Sequence, residues 1–251
     1  KTLEKKIRLA KIISHFGFCS RRDAEQIIIN GDVTLKNSIF REFTIKESLI
    51  KYIKVNGINL RKNKTRVWCF YKPRGYVCSN SEQFEQKSFF RILPKEIPRV
   101  VSVGRLDILS EGLLLLTNNP SLSNFLEKPE NSFERNYIVK VFGQINNELP
   151  LLVKEGIKIK NINYKGLDIK ILTNKKNNNF LRISVYEGKN REIRKILEHF
   201  KLQVKTLKRI SYGPFFLNEL NNSEIKEVDE ETLKNNLEKM KFDDESDSWN
   251  I

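Results

Sequence analysis

Cysteine and histidine are scarce: the 251 residues include three cysteines and two histidines. The cysteines, Cys19, Cys69 and Cys78, show no C-x-x-C spacing, and only His15 and His199 are available to supplement them. A structural zinc site is therefore not expected, because such sites take four closely spaced Cys and His ligands. We expect all three thiols to be free, as in proteins of a reducing cytosol.

Long apolar runs and signature sequences for metals and nucleotides are also lacking. The longest aliphatic stretch, Leu113 to Leu116, is far too short to cross a bilayer. No signal peptide is recognisable, so we expect a cytoplasmic protein without a membrane partner. There is no H-E-x-x-H, EF-hand loop or P-loop, and sustained metal catalysis needs several converging carboxylates or histidines. A metal site is therefore not expected.

Acidic residues are outnumbered by basic ones. Lys and Arg number 46 and Asp and Glu 31, which leaves a net charge of +15. Residues 1–62 hold 14 basic and 6 acidic residues, whereas residues 226–251 hold 4 and 9. This distribution predicts two basic binding units and an acidic end. A basic surface of this kind favours a polyanion as its partner, and in the cytosol that polyanion is expected to be RNA or DNA. A general bias toward Lys and Asn is the alternative explanation.

Residues 1–62 are predicted to form two short helices and a small strand unit. An apolar stripe from Ile7 to Ile13 indicates the first helix, and Ser20 with Asp23 is a capping box that opens the second. Two strand segments follow, DVTL and KYIKVNGINL, the second folded at its Asn-Gly pair. The basic residues around the helix pair suit a phosphate backbone, and a solvated basic surface is the alternative. These residues are Arg8, Lys11, Arg21, Arg22 and Lys36.

Residues 63–228 are predicted to form a larger α+β domain. Strands are indicated by VWCFY, LLLLT, NYIVKVF, LDIKIL and FLRISVY, and helices by LSNFL, LPLLV and REIRKILEHF. Strands interspersed with short helices predict a sheet with flanking helices. NKKNNN, residues 174–179, is expected to be a polar loop. Residues 229–251 are expected to form a mobile charged helix and acidic tail.

One carboxylate, Asp107, lies just before the aliphatic run in VGRLDILSEGLLLLTNN, within residues 101–119. An ionised carboxylate held by an arginine can act as a nucleophile or an electrostatic stabiliser. The residues alone leave alternatives open. Asp107 can pair with Arg105 to end a strand, or hold magnesium with Glu111 on a helix, although Gly112 disfavours that helix. A Ser-His-Asp arrangement has only two histidines to draw on.

The order of the motifs resembles a known family. The segment RLAKIISHFGFCSRRDAEQIIINGDVTL resembles the S-four RNA-binding domain, in which basic, capping and turn residues stand at the positions of Arg8, Leu9, Gly17, Ser20, Arg21, Arg22, Gly31 and Val33. FYKPRGYVCS, VGRLDILSEGLLLLTNN, ERNYIVKVFGQ and YEGKNREIRKILEHFKLQVKTLKRISYGP follow in the order and spacing of pseudouridine synthases of the RsuA type. The third segment looks most like the ribosomal large subunit pseudouridine synthase B branch. Together these segments cover nearly the whole chain.

The resemblance implies the pseudouridine synthase fold, a mixed, mainly antiparallel β-sheet with flanking helices. It also implies a monomeric enzyme that takes a uridine of ribosomal RNA out of its stack and rejoins the uracil through ring carbon five, without metal or cofactor. By the resemblance Asp107 is the essential carboxylate, Tyr137 packs on the base and Arg194 pairs with Asp107. Further RNA contacts are expected from Arg105, Lys72, Arg74 and Arg191.

Three departures from the family pattern are visible. Lys36-Asn37-Ser38 stands at the usual Asn-Gly turn of the front domain, Ser110 replaces a Thr, and Asn119 replaces the Asp of a T-N-D ending. None of them falls on Asp107, so catalysis is still expected. Large-subunit rRNA is the preferred substrate and small-subunit rRNA the alternative. A non-catalytic ribosome-assembly factor and a metal-dependent nuclease are the rivals from other classes.

Overall fold

A computed structural model describes residues 5–79, 86–175 and 179–243, and most of the predicted acidic tail and the middle of the predicted loop 174–179 lie outside this description. The described residues form separate apolar cores, one made by residues 7–60 and two by later residues. No helix among the described residues is long and apolar enough to cross a bilayer.

The front elements pack two helices on short strands. Ser20 caps the second helix: its hydroxyl accepts a hydrogen bond from Asp23 N at 3.1 Å, and Gly31 ends the helix in the left-handed conformation. The predicted capping box and helix end are therefore confirmed. The elements are β1 (Lys6–Arg8), α1 (Leu9–His15), α2 (Arg21–Asn30), β2 (Val33–Leu35), β3 (Ser38–Ile39), β4 (Thr44–Lys46), a 3-10 turn (Glu47–Tyr52), β5 (Ile53–Val55) and β6 (Ile58–Asn59).

The later elements build one large sheet with helices on its faces. They are β7 (Val67–Lys72), β8 (Tyr76–Val77), β9 (Lys87–Ser88), a 3-10 turn (Phe89–Ile92), β10 (Val101–Ser102), β11 (Glu111–Thr117), α3 (Pro120–Glu127), a second 3-10 turn (Pro129–Asn131), β12 (Arg135–Phe142), α4 (Leu149–Lys154), β13 (Ile157–Ile159), β14 (Ile162–Tyr164), β15 (Asp168–Thr173), β16 (Asn179–Val185), α5 (Glu192–His199), β17 (Gln203–Tyr212), β18 (Phe215–Phe216), β19 (Ile225–Glu227) and α6 (Glu230–Lys239).

The main sheet has nine strands in the order β15-β16-β12-β17-β11-β7-β19, with β10 beside β11 and β18 beside β17. The pair of β11 and β17 is parallel, and the other pairs are antiparallel. The predicted α+β class with a mixed, mainly antiparallel sheet is confirmed.

The aliphatic run of β11 is continuous because this strand is covered on both faces. Leu114 and Leu116 join the core beneath α5, while Leu113 and Leu115 join the core beneath α3 and α6. A strand covered on one face only would alternate apolar and polar residues. Asp107 therefore precedes a strand that is held rigidly in the centre of the molecule.

Helix α6 is the helix predicted near the end of the chain. Asp229 caps it through a hydrogen bond from Thr232 N at 2.9 Å, and Leu233, Leu237 and Met240 pack on the core beneath α3. The helix therefore packs on the body of the protein, and the mobility expected for residues 229–251 stays a prediction. Its many charges suggested a solvated segment, but its apolar residues recur at spacings of four and three and cover one face.

Strand β17 was not foreseen as a strand, although its residues lie in the last family motif. Lys and Arg interrupt its apolar pattern, yet it runs through the middle of the sheet between β12 and β11. Neighbouring strands cover both of its edges. This placement carries Arg209 into the interior.

Candidate active site

A cavity of about 630 Å³ lies where the turn before β11, the start of β12, the start of α5 and the end of β17 come together. Asp107 and Tyr137 are among the residues that line it. These side chains are far apart in the sequence, so only the pairing of the strands brings them to one place.

Asp107 lies in the turn that enters β11. Its Oδ1 accepts a hydrogen bond from Leu109 N at 2.9 Å, and its Oδ2 pairs with Arg194 Nε at 3.2 Å. Arg194 is buried on α5 and also donates from Nη2 to Ser110 Oγ at 3.1 Å. The carboxylate is therefore held by the main chain on one side and by a guanidinium on the other.

The surroundings of Asp107 favour its ionised form. Burial by itself raises the pKa of this carboxyl, but the charge of Arg194, hydrogen bonds from Ser110 and Arg194, and the charge of Arg191 outweigh burial. The pKa of Asp107 consequently lies below its usual value. The competing interpretation, an ion pair with Arg105, is not what the structure shows, because the salt-bridge partner is Arg194.

Lys72 corrects one expectation. It is the last residue of β7 and is wholly buried, so the structure contradicts a contact of its side chain with RNA. Its Nζ donates to the main-chain oxygens of Pro73, Asp107 and Ser110 at 3.0, 3.3 and 2.9 Å. The turn signal Pro-Arg-Gly suggested exposure, but the strand continues through Lys72 and directs the side chain inward. Lys72 fixes both ends of the Asp107 turn.

Burial also changes the acidity of Lys72. It lowers the pKa of this amine to about 8, against the opposing attraction of Cys78 and Asp107. Three main-chain carbonyls stabilise the charged ammonium form.

Tyr137 is brought to the cavity by strand pairing. It is the cross-strand neighbour of Arg209, which in turn pairs with Gly112 of β11. Gly112 has φ of +96°, and a Cβ at this position would lie 2.3 Å from Arg209 O. Glycine is therefore required for the close approach of β11 and β17 that joins the Asp107 turn to Tyr137.

Two buried carboxyl groups line the cavity and were missed by sequence reasoning. Glu187 accepts a hydrogen bond from Lys165 N at 2.8 Å and pairs with Lys189 at 2.9 Å. Burial alone raises the pKa of Glu187, but Lys189 and the Lys165 main chain outweigh it and lower the pKa. Burial, followed by the neighbouring Glu187, raises the pKa of Glu192 to about 8. The pair therefore retains one proton at neutral pH.

Two arginines of the cavity were also missed. Arg135 donates from Nη1 to Glu187 O at 3.1 Å and from Nη2 to Tyr212 OH at 2.7 Å. Arg209 donates from Nε to Leu113 O at 2.7 Å. Arg135 lies in the motif ERNYIVKVFGQ, and Arg209 lies in LKRISYGP at the end of the last family motif. Membership of these motifs was the only signal in the sequence for either residue. Their burial could not be predicted, because arginines are usually exposed.

Comparisons with known proteins agree with this geometry. A sequence profile described as RNA pseudouridylate synthase matches residues 66–199, a range that includes Asp107, Tyr137 and Arg194. An RNA pseudouridine synthase of Rickettsia bellii, described as uncharacterized, is 40% identical over 230 residues, covering 90% of this chain and 99% of the relative. The chain belongs to the RNA pseudouridine synthase family.

Further similarities support the same conclusion. One relative is the ribosomal large subunit pseudouridine synthase B of Buchnera aphidicola subsp. Acyrthosiphon pisum. It is 36% identical over 218 residues, covering 84% of this chain and 87% of the relative. A crystal structure of a pseudouridylate synthase superposes with a TM-score of 0.66 at 21% identity, covering 92% of this chain and 99% of that one. The predicted family, enzyme class and fold are confirmed, and the assembly-factor and nuclease alternatives are not favoured.

Within this pseudouridine synthase, the residues predicted to contact RNA fall into two groups. Arg105 and Arg191 are exposed and line the Asp107 cavity. Arg74 is exposed on a turn whose Gly75 N donates to Ile108 O at 2.7 Å, so this turn adjoins the Asp107 turn. These positions fit contacts with the RNA around the target nucleotide, which remain a prediction.

The second group lies in the front elements, away from the Asp107 cavity. Its basic side chains are exposed, whereas the Ser20 hydroxyl is used in the capping box. Lys11 and Arg21 line a separate cavity of about 470 Å³ between the front helices and α3. The basic residues of this group are Arg8, Lys11, Arg21, Arg22 and Lys36.

The magnesium arrangement considered for Asp107 does not form. Glu111 begins strand β11, so the two carboxylates do not share a helix face. Within the described ranges, no three or more His, Cys, Asp and Glu side chains group as metal ligands. The three cysteines are free thiols, as expected.

Proposed function

We propose that this chain converts a uridine of large-subunit ribosomal RNA to pseudouridine, with Asp107 as the essential carboxylate. The observation that carries the proposal is the Asp107–Arg194 pair, an ionised carboxylate fixed in orientation within a cavity of about 630 Å³. Cavities of this size accommodate small molecules such as a nucleoside. The preference for large-subunit RNA is supported by the substrate named for the Buchnera relative.

The reaction is an isomerisation and needs no oxidant or reductant. The bond between uracil N1 and ribose C1′ breaks, a bond between uracil C5 and C1′ forms, C5 loses its proton and N1 gains one. Asp107 must be ionised whether it attacks the ribose or the base, and its lowered pKa meets this requirement. Arg194 acts as a positioning residue, because its hydrogen bonds fix the carboxylate.

The target nucleotide has to leave its stack to reach Asp107. Unstacking costs a few kcal/mol, which stacking in the pocket and contacts to phosphate recover. Tyr137 lines the cavity that contains Asp107, and this supports its proposed packing on the extruded base. The exposure of Arg105, Arg191 and Arg74 supports a role as cations for the neighbouring phosphates, and for Arg105 a role in filling the vacated gap.

We further propose that residues 1–62 form an S-four type RNA-binding domain and residues 63–228 the catalytic domain. The separate apolar core of residues 7–60 supports this division. The basic surface of the front helices provides sequence-independent contacts with RNA phosphate. We also propose that the protein works as a monomer in the cytoplasm, where ribosomal RNA is available.

An assay on RNA in EDTA tests the proposal. The protein is incubated with unmodified large-subunit and small-subunit rRNA, and pseudouridine is mapped in both; modified sites are also compared between a wild-type strain and one lacking the gene. We expect product in large-subunit RNA in the presence of EDTA. A modification missing only from small-subunit RNA contradicts the substrate assignment, and RNA binding or magnesium-dependent cleavage without product contradicts the proposed reaction.

A further inference from the structure

Arg209 differs from the other buried arginines, Arg135 and Arg194, in what its side chain contacts. It is only 2% exposed, and its Nε donates to Leu113 O at 2.7 Å. Its Nη2 is enclosed and has no hydrogen-bond partner among the described residues. Arg194 and Arg135, by comparison, donate to Asp107, Ser110, Glu187 and Tyr212.

A buried guanidinium without a counterion is costly. Arginine stays protonated in proteins, and a buried charge requires a partner that neutralises it or accepts its hydrogen bonds. No carboxylate forms a salt bridge with Arg209 within the described residues. The ring of Tyr212, 5.2 Å from the guanidinium carbon, is shared with Arg135 at 4.6 Å and offers only partial compensation.

Strand pairing places Arg209 beside the proposed reaction centre. It is the cross-strand neighbour of Tyr137 on one side and of Gly112, five residues after Asp107, on the other. Arg209 and Tyr137 both line the cavity that contains Asp107. A missing acceptor for Arg209 is therefore expected to come from the molecule that fills this cavity.

The chemistry of the reaction identifies that acceptor. When the bond from N1 to C1′ breaks, its electron pair moves onto the uracil ring and is shared with the carbonyl oxygens. If a carboxylate instead adds to the ring at C6, electron density moves onto the C4 carbonyl oxygen. Negative charge thus develops on a uracil carbonyl in either case, and a preorganised donor there stabilises the transition state.

We infer that Arg209 donates a hydrogen bond to a carbonyl oxygen of the flipped uracil and stabilises the negative charge that develops on it. This inference rests on the proposed function, because it takes the Asp107 cavity as the site of the reaction. A phosphate is the less suitable ligand because Arg209 is buried, whereas Arg105 and Arg191 are exposed and better suited to contact the RNA backbone.

Two variants of Arg209 and one control test the inference. Arg209→Met removes the hydrogen-bond donor, and Arg209→Lys keeps the positive charge but not the planar guanidinium. The control, Lys208→Met, removes the cation of the adjacent residue, whose ammonium group lies over the Tyr71 ring. Single-turnover formation of pseudouridine is measured on the rRNA fragment that contains the mapped site, together with thermal melting and RNA affinity at two salt concentrations.

We expect Arg209→Met to be about 100- to 1,000-fold slower than wild type, as for loss of one oxyanion donor. Its RNA affinity and salt dependence should be unchanged, Arg209→Lys should recover part of the rate, and Lys208→Met should be close to wild type. A folded Arg209→Met protein with a near wild-type rate overturns the inference. So does a rate loss matched by weaker binding and a smaller salt slope, because that pattern identifies a phosphate contact.

Sulfur substitution of the substrate keeps the test decisive if Arg209→Met does not fold. The target uridine is replaced by 2-thiouridine or 4-thiouridine, since sulfur accepts hydrogen bonds poorly, and wild type is compared with Arg209→Lys. One of the two substitutions should slow wild type about tenfold or more and Arg209→Lys much less. Equal slowing of both proteins overturns the inference. Wild-type protein that forms no pseudouridine in rRNA overturns the proposed function as well, which distinguishes the two failures.

Discussion

At the scale of single residues, the site depends on buried and half-buried charges and on what each of them contacts. Arg194 and Lys72 hold the Asp107 turn from two directions, one through its carboxylate and the other through its main chain. Glu187 and Glu192 are buried carboxyl groups that line the same cavity. Substitutions that remove the charge of a carboxylate but keep its size test what the charge contributes.

Asp107→Asn should abolish turnover while leaving RNA affinity close to wild type. The amide keeps the size and an acceptor oxygen but removes the charge and the nucleophilicity, so a rate loss of at least about 1,000-fold is expected. Asp107→Glu should also lose orders of magnitude, because an added methylene moves the carboxylate from its aligned position. Single-turnover pseudouridine formation and thermal melting are measured for both, with Asp168→Asn on the exposed edge strand as control.

A different result is expected if Asp107 has only a structural role. In that case both variants lose activity in proportion to stability, and stabilising substitutions elsewhere restore turnover. An Asn variant that converts uridine at nearly the wild-type rate removes Asp107 from the mechanism.

Glu192→Gln should flatten the dependence of stability on pH. The folded-state pKa of Glu192, about 8, is above the ordinary value of 4.5, so the folded protein binds this proton more tightly than the unfolded chain. The stabilising contribution is fully present below pH 4.5 and is lost as the pH rises to 8. Glutamine does not titrate, so the variant should gain roughly 1–4 kcal/mol on wild type between these limits.

Urea unfolding of wild type, Glu192→Gln and Glu198→Gln at pH 4.5 and pH 8.5 measures this effect. Glu198 is exposed on the same helix, so its variant should follow wild type. Parallel pH profiles for wild type and Glu192→Gln contradict the expectation.

At the scale of secondary-structure elements, the parallel pair of β11 and β17 determines the geometry of the site. β17 connects Tyr137 on β12 to the Asp107 turn, and the close approach at Gly112 sets the distance between these strands. Helix α5 then supplies Arg194 from above one face of the same sheet. The elements therefore act as a rigid frame for residues that are widely separated in the sequence.

Gly112→Ala should disturb this frame. The new Cβ would lie 2.3 Å from Arg209 O and would occupy a residue with φ of +96°, so the two strands must separate. We expect a loss of about 3 kcal/mol or more in the free energy of unfolding, together with a strong loss of activity. Gly57→Ala is the matched control, since Gly57 also has a positive φ but no atom lies within 4 Å of its Cβ position.

Chemical denaturation and pseudouridine assays of both glycine variants measure the difference. Gly57→Ala should lose only about 1 kcal/mol, from backbone conformation alone. Equal losses for the two variants would show that the strand approach at Gly112 has no special importance.

At the scale of the whole molecule, basic front elements are joined to a catalytic sheet that has its own core. Residues 1–62 carry 14 basic and 6 acidic residues, and the basic side chains predicted to contact RNA lie on the exposed surface of this region. Such a surface releases counterions when phosphate binds, so its contribution to affinity falls as salt concentration rises.

Removal of residues 1–60 should weaken RNA binding and flatten its salt dependence. Several phosphate contacts disappear together, and the slope of log affinity against log salt falls by about 0.7 to 0.9 for each. The remaining protein should fold, because its sheet and both later cores use other residues. Filter binding from 50 to 300 mM salt, with circular dichroism as the folding control, tests this. An unchanged slope would show that the front helices are only a solvated surface.

The sequence by itself determined the local and family-level features of this protein. The capping box at Ser20, the strands with strong apolar patterns and helix α5 follow from short-range patterns, and the proposal that Asp107, Tyr137 and Arg194 form the site follows from contiguous motifs. The tertiary structure decided which groups are buried and which meet. Burial of Lys72, packing of α6 and the central position of β17 depend on contacts with distant residues that local composition does not report. The same long-range pairing leaves Arg209 enclosed beside Tyr137, because the environment of a charge is set by strands that are neighbours only in the folded chain.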